Sequence, residues 1–66
     1  MKRILLNGEY RSYDVENLIQ LVHILKLDPK RIAVEKNGKI VKKDEYPETK
    51  IEDNDKIEIV HFVGGG

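Results

Sequence analysis

Cysteine is absent from this chain of 66 residues. Disulfides, thiolate metal sites and a cysteine nucleophile are excluded with it. Any sulfur the protein handles must sit on a group other than a thiol of its own. An excess of charge of one sign is also missing. Lys+Arg and Asp+Glu both number 12, so the formal net charge is +0. That balance argues against nucleic acid as a partner, because phosphate binding wants a basic excess. Long apolar runs are lacking too. Lys2-Arg3 leads into only Ile4-Leu5-Leu6, which is far too short for a signal-peptide core or a membrane span. The expectation is a cytoplasmic protein with no membrane partner. Repeats and low-complexity stretches do not occur.

What is present is a charge-rich small domain. Hydrophobic residues are 39% and charged residues 36%. A chain of this length buries only about 60% of its unfolded surface, so one thin core is expected.

The elements follow from local pattern. Ile4-Leu5-Leu6 is a short apolar run ended by Asn7-Gly8, a pair that supplies positive φ at both central positions of a tight hairpin turn. Glu9–Tyr13 then reads as the return strand, with Tyr10 and Tyr13 as aromatic strand formers. Asp14 stands where a helix N-cap belongs and Glu16 puts negative charge in the first turn. Val15, Leu18, Ile19, Val22 and Leu25 recur at helical steps, and Leu21, Ile24 and Leu27 widen the stripe, which predicts a well-buried helix. Asp28-Pro29 ends it, because the residue before proline disfavours the α region. Residues 31–36 alternate Ile32 and Val34 against Ala33 and Glu35, a half-buried strand. Asn37-Gly38 makes a second tight turn into the short strand Lys39-Ile40-Val41. Residues 42–50 have no clean period, contain Pro47 and read as a loop or short helical turn. Residues 56–63 form the last strand, with Ile57 and Ile59 on one face.

This order predicts an α+β fold of the β-grasp (ubiquitin-like) type: a mixed sheet of about four to five strands with one main helix packed on one face. Residues 1–63 are the β-grasp domain and residues 64–66 a flexible glycine tail.

Few side chains suggest catalysis. Glu52, Asp53 and Asp55 cluster three carboxylates, but the spacing lacks the EF-hand pattern, and such residues stabilise turns through their own backbone. His23 is a surface helix position. His61 shares parity with Ile57 and Ile59 and has no second ligand nearby in sequence. No catalytic residue and no metal ligand is identified, and the chain is read as not an enzyme. Strand parity is more informative. With Ile57, Ile59, Ile4 and Leu6 inward, Leu5, Ala33, Val60 and Phe62 face outward. They are predicted to form an apolar, partner-binding patch on the open sheet face.

The remaining feature is Val63-Gly64-Gly65-Gly66. Glycine has no Cβ, so such a tail, which extended reaches roughly 10 Å, enters a pocket that side chains would block. Gly66 then offers a bare carboxylate, with Gly65 beside it and Gly64 as the arm. A linker stub gives the same residues, and the tail alone does not choose between the two.

Ile4-Leu5-Leu6-Asn7-Gly8, Val34-Glu35-Lys36-Asn37-Gly38 and Asp53-Asn54-Asp55-Lys56-Ile57-Glu58-Ile59-Val60, running into Phe62-Val63-Gly64-Gly65-Gly66, make a wider match. With these motifs the chain resembles the ThiS sulfur carriers of thiamine biosynthesis over nearly its whole length. The terminal Gly-Gly is shared with molybdopterin sulfur carriers and ubiquitin-like modifiers. Where the family often has glycine, this chain has Asn54, which also tolerates left-handed angles. The resemblance implies that an E1-like, ThiF-type adenylyltransferase uses ATP to adenylylate the Gly66 carboxylate. Sulfur from a sulfurtransferase or cysteine desulfurase then gives a thiocarboxylate, and a ThiG-type thiazole synthase consumes it. No cofactor is held by the carrier; ATP belongs to the activating partner. Three other readings stay open on the residues: a molybdopterin-type carrier, a ubiquitin-like protein modifier, and a non-catalytic β-grasp interaction module.

Overall fold

The computed structural model describes residues 1–62. The expected arm at residues 64–66 lies outside the described residues.

Strand β1 (Lys2–Leu6) turns through Asn7-Gly8 into antiparallel β2 (Glu9–Tyr13), with Leu5 opposite Tyr10. Both turn residues are left-handed, with φ of 48° at Asn7 and 85° at Gly8, the backbone that matches the twist of two paired strands. The same chemistry joins β3 (Ile32–Lys36) to β4 (Lys39–Val41) through Asn37 (φ 53°) and Gly38 (φ 86°). Strand β5 (Lys56–His61) enters between the two hairpins, parallel to β1 and antiparallel to β3. The sheet order is β2-β1-β5-β3-β4. Parallel neighbours need a long crossover, which here contains helix α1 (Leu18–Ile24), β3 and β4.

The helix is shorter than its apolar period suggests. Asn17, not Asp14, is the N-cap: its Oδ1 accepts from the Gln20 N–H at 3.0 Å. The Gln20 amide oxygen in turn accepts from the Glu16 N–H at 2.7 Å, a variant of the capping box. Residues before the cap are not helical because another segment claims their backbone. Ile51 N–H donates to Glu16 O at 3.1 Å, Leu18 N–H donates to Thr49 O at 2.9 Å, and Asn17 forms a bridge with Lys50. Val15 is buried from this connecting segment rather than from a helical turn. The readable sign of the true start was the Asn-x-x-Gln spacing.

The helix also stops before Asp28-Pro29. Leu27 N–H donates to Val22 O and Lys26 N–H to His23 O, with Lys26 at φ 60°. That is a Schellman end made without glycine. Asp28 instead caps a 3-10 turn, Pro29–Arg31, through the Lys30 N–H. A short helix buries a narrow stripe. Leu18, Leu21 and Val22 are fully buried, Ile19, Leu25 and Leu27 are partly so, and Ile24 is about half exposed, against the expectation of a wide buried face. At 3.6 residues per turn, Ile24 points well away from the Leu18–Leu21–Val22 stripe.

The core joins these helix residues to Ile4, Leu6, Ile32, Val34 and Ile57 from the sheet. It is completed by Tyr46 and Ile51, which no period marked. Tyr46 sits in the 3-10 segment Lys43–Glu48 that packs on α1, and only 1% of it is exposed.

Candidate functional site

Strand β5 leads in sequence to Val63 and the glycines, so its two faces are the candidate site. How β5 is held comes first. Where β1 ends, the side chain of Asn7 takes over the ladder. Its backbone N–H donates to Ile57 O at 2.9 Å, its Oδ1 accepts from the Ile59 N–H at 2.7 Å, and its Nδ2 donates to Ile59 O at 3.2 Å. Asn37 does the same at the other end. Its N–H donates to Lys56 O, its Oδ1 accepts from the Lys56 N–H, and its Nδ2 donates to Asp55 Oδ1 at 2.9 Å. Each asparagine thus makes its hairpin turn and also grips the inserted strand. Sequence reasoning saw only the turn; the choice of asparagine at both hairpins was the available signal.

The carboxylate cluster is a turn, as read from sequence. Asp53 Oδ1 accepts from the Arg3 N–H at 2.8 Å, and Asn54 takes φ 73°. Asp55 is only 8% exposed. Its second oxygen accepts from the Glu52 N–H at 2.8 Å, and Lys36 Nζ stands 3.7 Å away. A buried carboxylate needs such partners, and these oxygens are committed to structure.

The open sheet face carries the predicted patch residues, but not all together. Val60 is 60% and Phe62 57% exposed. Ala33 lies directly opposite Val60, and Phe62 N–H donates to Arg31 O at 2.7 Å, continuing the β3–β5 pairing by one step. Ala33, Val60 and Phe62 therefore gather where β5 leads to the tail. Leu5 is opposite Lys56, four residues earlier along β5. At about 3.3 Å per residue it stands roughly 13 Å from Val60. It is half-buried and faces Tyr10 across the hairpin. Gly64, Gly65 and Gly66 lie outside the described residues.

The opposite face of β5 is left partly open because α1 ends early. Leu6, Asn7, Leu25, Leu27, Ile59 and His61 line a groove of about 290 Å³ there. His61 falls on this side, as its parity with Ile59 predicts, and is exposed. Among the described residues no helix is long and apolar enough to cross a membrane.

A parallel β5 inserted beside β1, with one helix across the inner face, defines a β-grasp domain of the ubiquitin-like kind. The backbone closely follows that of a thiamine biosynthesis protein (ThiS) from Geobacter metallireducens, with a TM-score of 0.81 at 29% identity over 97% of this chain and 99% of that one. Residues 4–66 match the ThiS family. The chain is 43% identical over 63 residues to the sulfur carrier protein ThiS of Bacillus subtilis, covering 92% of this chain and 96% of that protein. It is also 38% identical over 65 residues to a thiazole synthase of Paramagnetospirillum magneticum, where it spans 20% of that protein's length. A thiazole synthase of Magnetococcus marinus is matched in the same way, at 35% identity and again 20% of its length. The chain belongs to the ThiS family.

Proposed function

We propose that this chain is a sulfur carrier of thiamine biosynthesis, with the Gly66 carboxylate as the group that carries the sulfur. The observation that supports this best is the family match, which runs through the terminal glycines to residue 66. The chemistry fits. A carboxylate becomes an acylating group only when its oxygen is made a good leaving group. Attack of the Gly66 carboxylate on the α-phosphorus of ATP, on an E1-like adenylyltransferase, releases pyrophosphate and gives the acyl-adenylate. The terminal sulfur of a protein persulfide, supplied by a sulfurtransferase or cysteine desulfurase, displaces AMP. Cleavage of the S–S bond by a thiol leaves the thiocarboxylate. In this reading the carrier is a substrate and supplies no catalytic side chain, and ATP is held by the activating partner.

A thiazole synthase is the acceptor we assign. Two relatives of that name contain a segment like this chain within one much longer polypeptide, which supports the pairing of carrier and synthase. Intact-mass measurement of the protein from its own cells tests the proposal. The expected result is a species heavier by about 16 Da, oxygen replaced by sulfur at the terminus. Only unmodified protein under thiamine limitation would overturn it. Covalent conjugates to other proteins would favour a modifier.

The apolar cluster beside the tail carries a second expectation. Phe62→Ala and Val60→Asp should each weaken binding of the adenylyltransferase by about fivefold or more, the scale of losing an interface anchor. Thermal unfolding should shift little, since exposed positions change stability by about 0.5 kcal/mol or less. Titration calorimetry and a thermal melt on the same samples separate the two effects.

A further inference from the structure

The open sheet face holds a charge arrangement that a carboxylate-delivery arm does not require. Glu35 on β3 lies directly opposite Glu58 on β5. Asn37 N–H donates to Lys56 O and Phe62 N–H to Arg31 O, so the pairs Asn37–Lys56 and Arg31–Phe62 are each joined by one backbone hydrogen bond. Counting by twos along the ladder puts Glu35–Glu58 in the same class, with Cα atoms roughly 5.5 Å apart. Like charges directly opposite in a sheet are destabilising. Among the described residues the ion pairs are Lys2–Glu16, Arg11–Glu9, Arg31–Asp28 and Lys36–Asp55, and none includes Glu35 or Glu58. Lys36, the chain neighbour of Glu35, turns to the other face toward Asp55. Lys56 shares the open face with Glu58 one ladder step away. The rest of the frame is apolar. Ala33 and Val60 form the next pair on this face, two residues along the ladder, and Ile40, opposite Glu35 on β4, is 77% exposed.

We propose that this face is a docking surface for a partner protein that presents an arginine, set among apolar side chains, to the Glu35–Glu58 pair. A guanidinium is planar and carries five donors, so it bridges two carboxylates as a point-charge ammonium does not. The apolar surround excludes water from that contact and strengthens it. A second copy of this chain fits poorly, because a two-fold contact through this face would bring four carboxylates together. An anionic lipid surface is opposed by the same two charges. The pair costs stability in the free protein and is compensated in the complex, so neutralising it has opposite effects on the two states.

The proposal rests on the carrier reading only for its choice of binding partner. The test uses the full chain, its Glu35→Gln and Glu58→Gln variants, and purified thiazole synthase encoded by the same genome. Each variant should raise the thermal midpoint of the free protein by roughly 2 °C or more. Each should weaken binding at least tenfold at low salt, and by less at high salt, where the charge contact is screened. Wild-type binding that both variants match would overturn the docking proposal and leave the carrier reading standing. Absence of wild-type binding would overturn both. Concentration-dependent self-association abolished by Val60→Asp would give the face to a second copy and overturn the proposal.

Discussion

Removing Gly66 should lower adenylylation at least about a hundredfold while leaving the thermal midpoint unchanged. Deletion draws the carboxylate back by about 3.5 Å, one extended residue. Displacement of even about 1 Å at a reacting centre costs on the order of a hundredfold in rate, because the acyl oxygen no longer lines up with the phosphorus it attacks. Gly65→Val should act in the same direction by a different route. Valine adds a branched Cβ where a pocket shaped for glycine closes on the chain, and it removes access to positive φ. Both changes lie beyond β5, and the buried core is built from residues between Ile4 and Ile57, so unfolding should not register them. ATP–pyrophosphate exchange with the E1-like enzyme reads the first effect and a thermal melt the second. Near-normal exchange by the shortened chain would show that the terminus is not the reacting group.

The largest effect on folding is expected at Tyr46. Truncating a buried aromatic to alanine costs about 3–5 kcal/mol. A domain of this length has only about 3–10 kcal/mol in total. Tyr46→Ala should therefore be largely unfolded at 37 °C, with its cooperative melt lost or shifted far down. Tyr46→Phe keeps the buried ring and should melt close to the parent.

The phenol adds a pH signature. Burial raises the Tyr46 pKa above its ordinary value of 10.0. The folded state then holds its proton at pH values where the unfolded chain has released it. The contribution of Tyr46 to stability is complete below about pH 10 and is lost as pH rises through the folded pKa. Tyr46→Phe removes that loss, so parent and variant should diverge in urea midpoint above about pH 10. Curves that fall in parallel would show that Tyr46 titrates alike in both states.

Tyr46 also shows where reading a sequence stops. Its segment has no helical or strand period, because a 3-10 turn containing Pro47 buries one side chain and exposes its neighbours. Ile51 is buried for a similar reason, from a connecting segment paired with Glu16 rather than from an element of its own. The start of α1 departs from the apolar period for the same cause. Val15 has the right spacing for the helical stripe, yet hydrogen bonds with residues 49–51 hold the backbone at Glu16 and Asn17 out of the helix. Local pattern does not reveal a partner more than 30 positions away.

The patch divides along the same line. Alternation placed Leu5, Ala33, Val60 and Phe62 on one face. The pairing of Leu5 with Lys56 and of Ala33 with Val60 then separated Leu5 from the others.

The sequence by itself determined the element order, the two Asn-Gly turns, the inward set Ile4, Leu6, Ile32, Val34 and Ile57, and the glycines to which β5 leads. These depend on side-chain period and on the φ preferences of single residues, which act over a few positions. Only the tertiary structure decided the register of β5 between its neighbours, and with it three things: the grip of Asn7 and Asn37 on that strand, the grouping of Val60 with Ala33, and the opposition of Glu35 to Glu58. Register depends on hydrogen bonds between residues dozens of positions apart. No local preference encodes such a pairing, and a different register would have left every strand of the sequence looking the same.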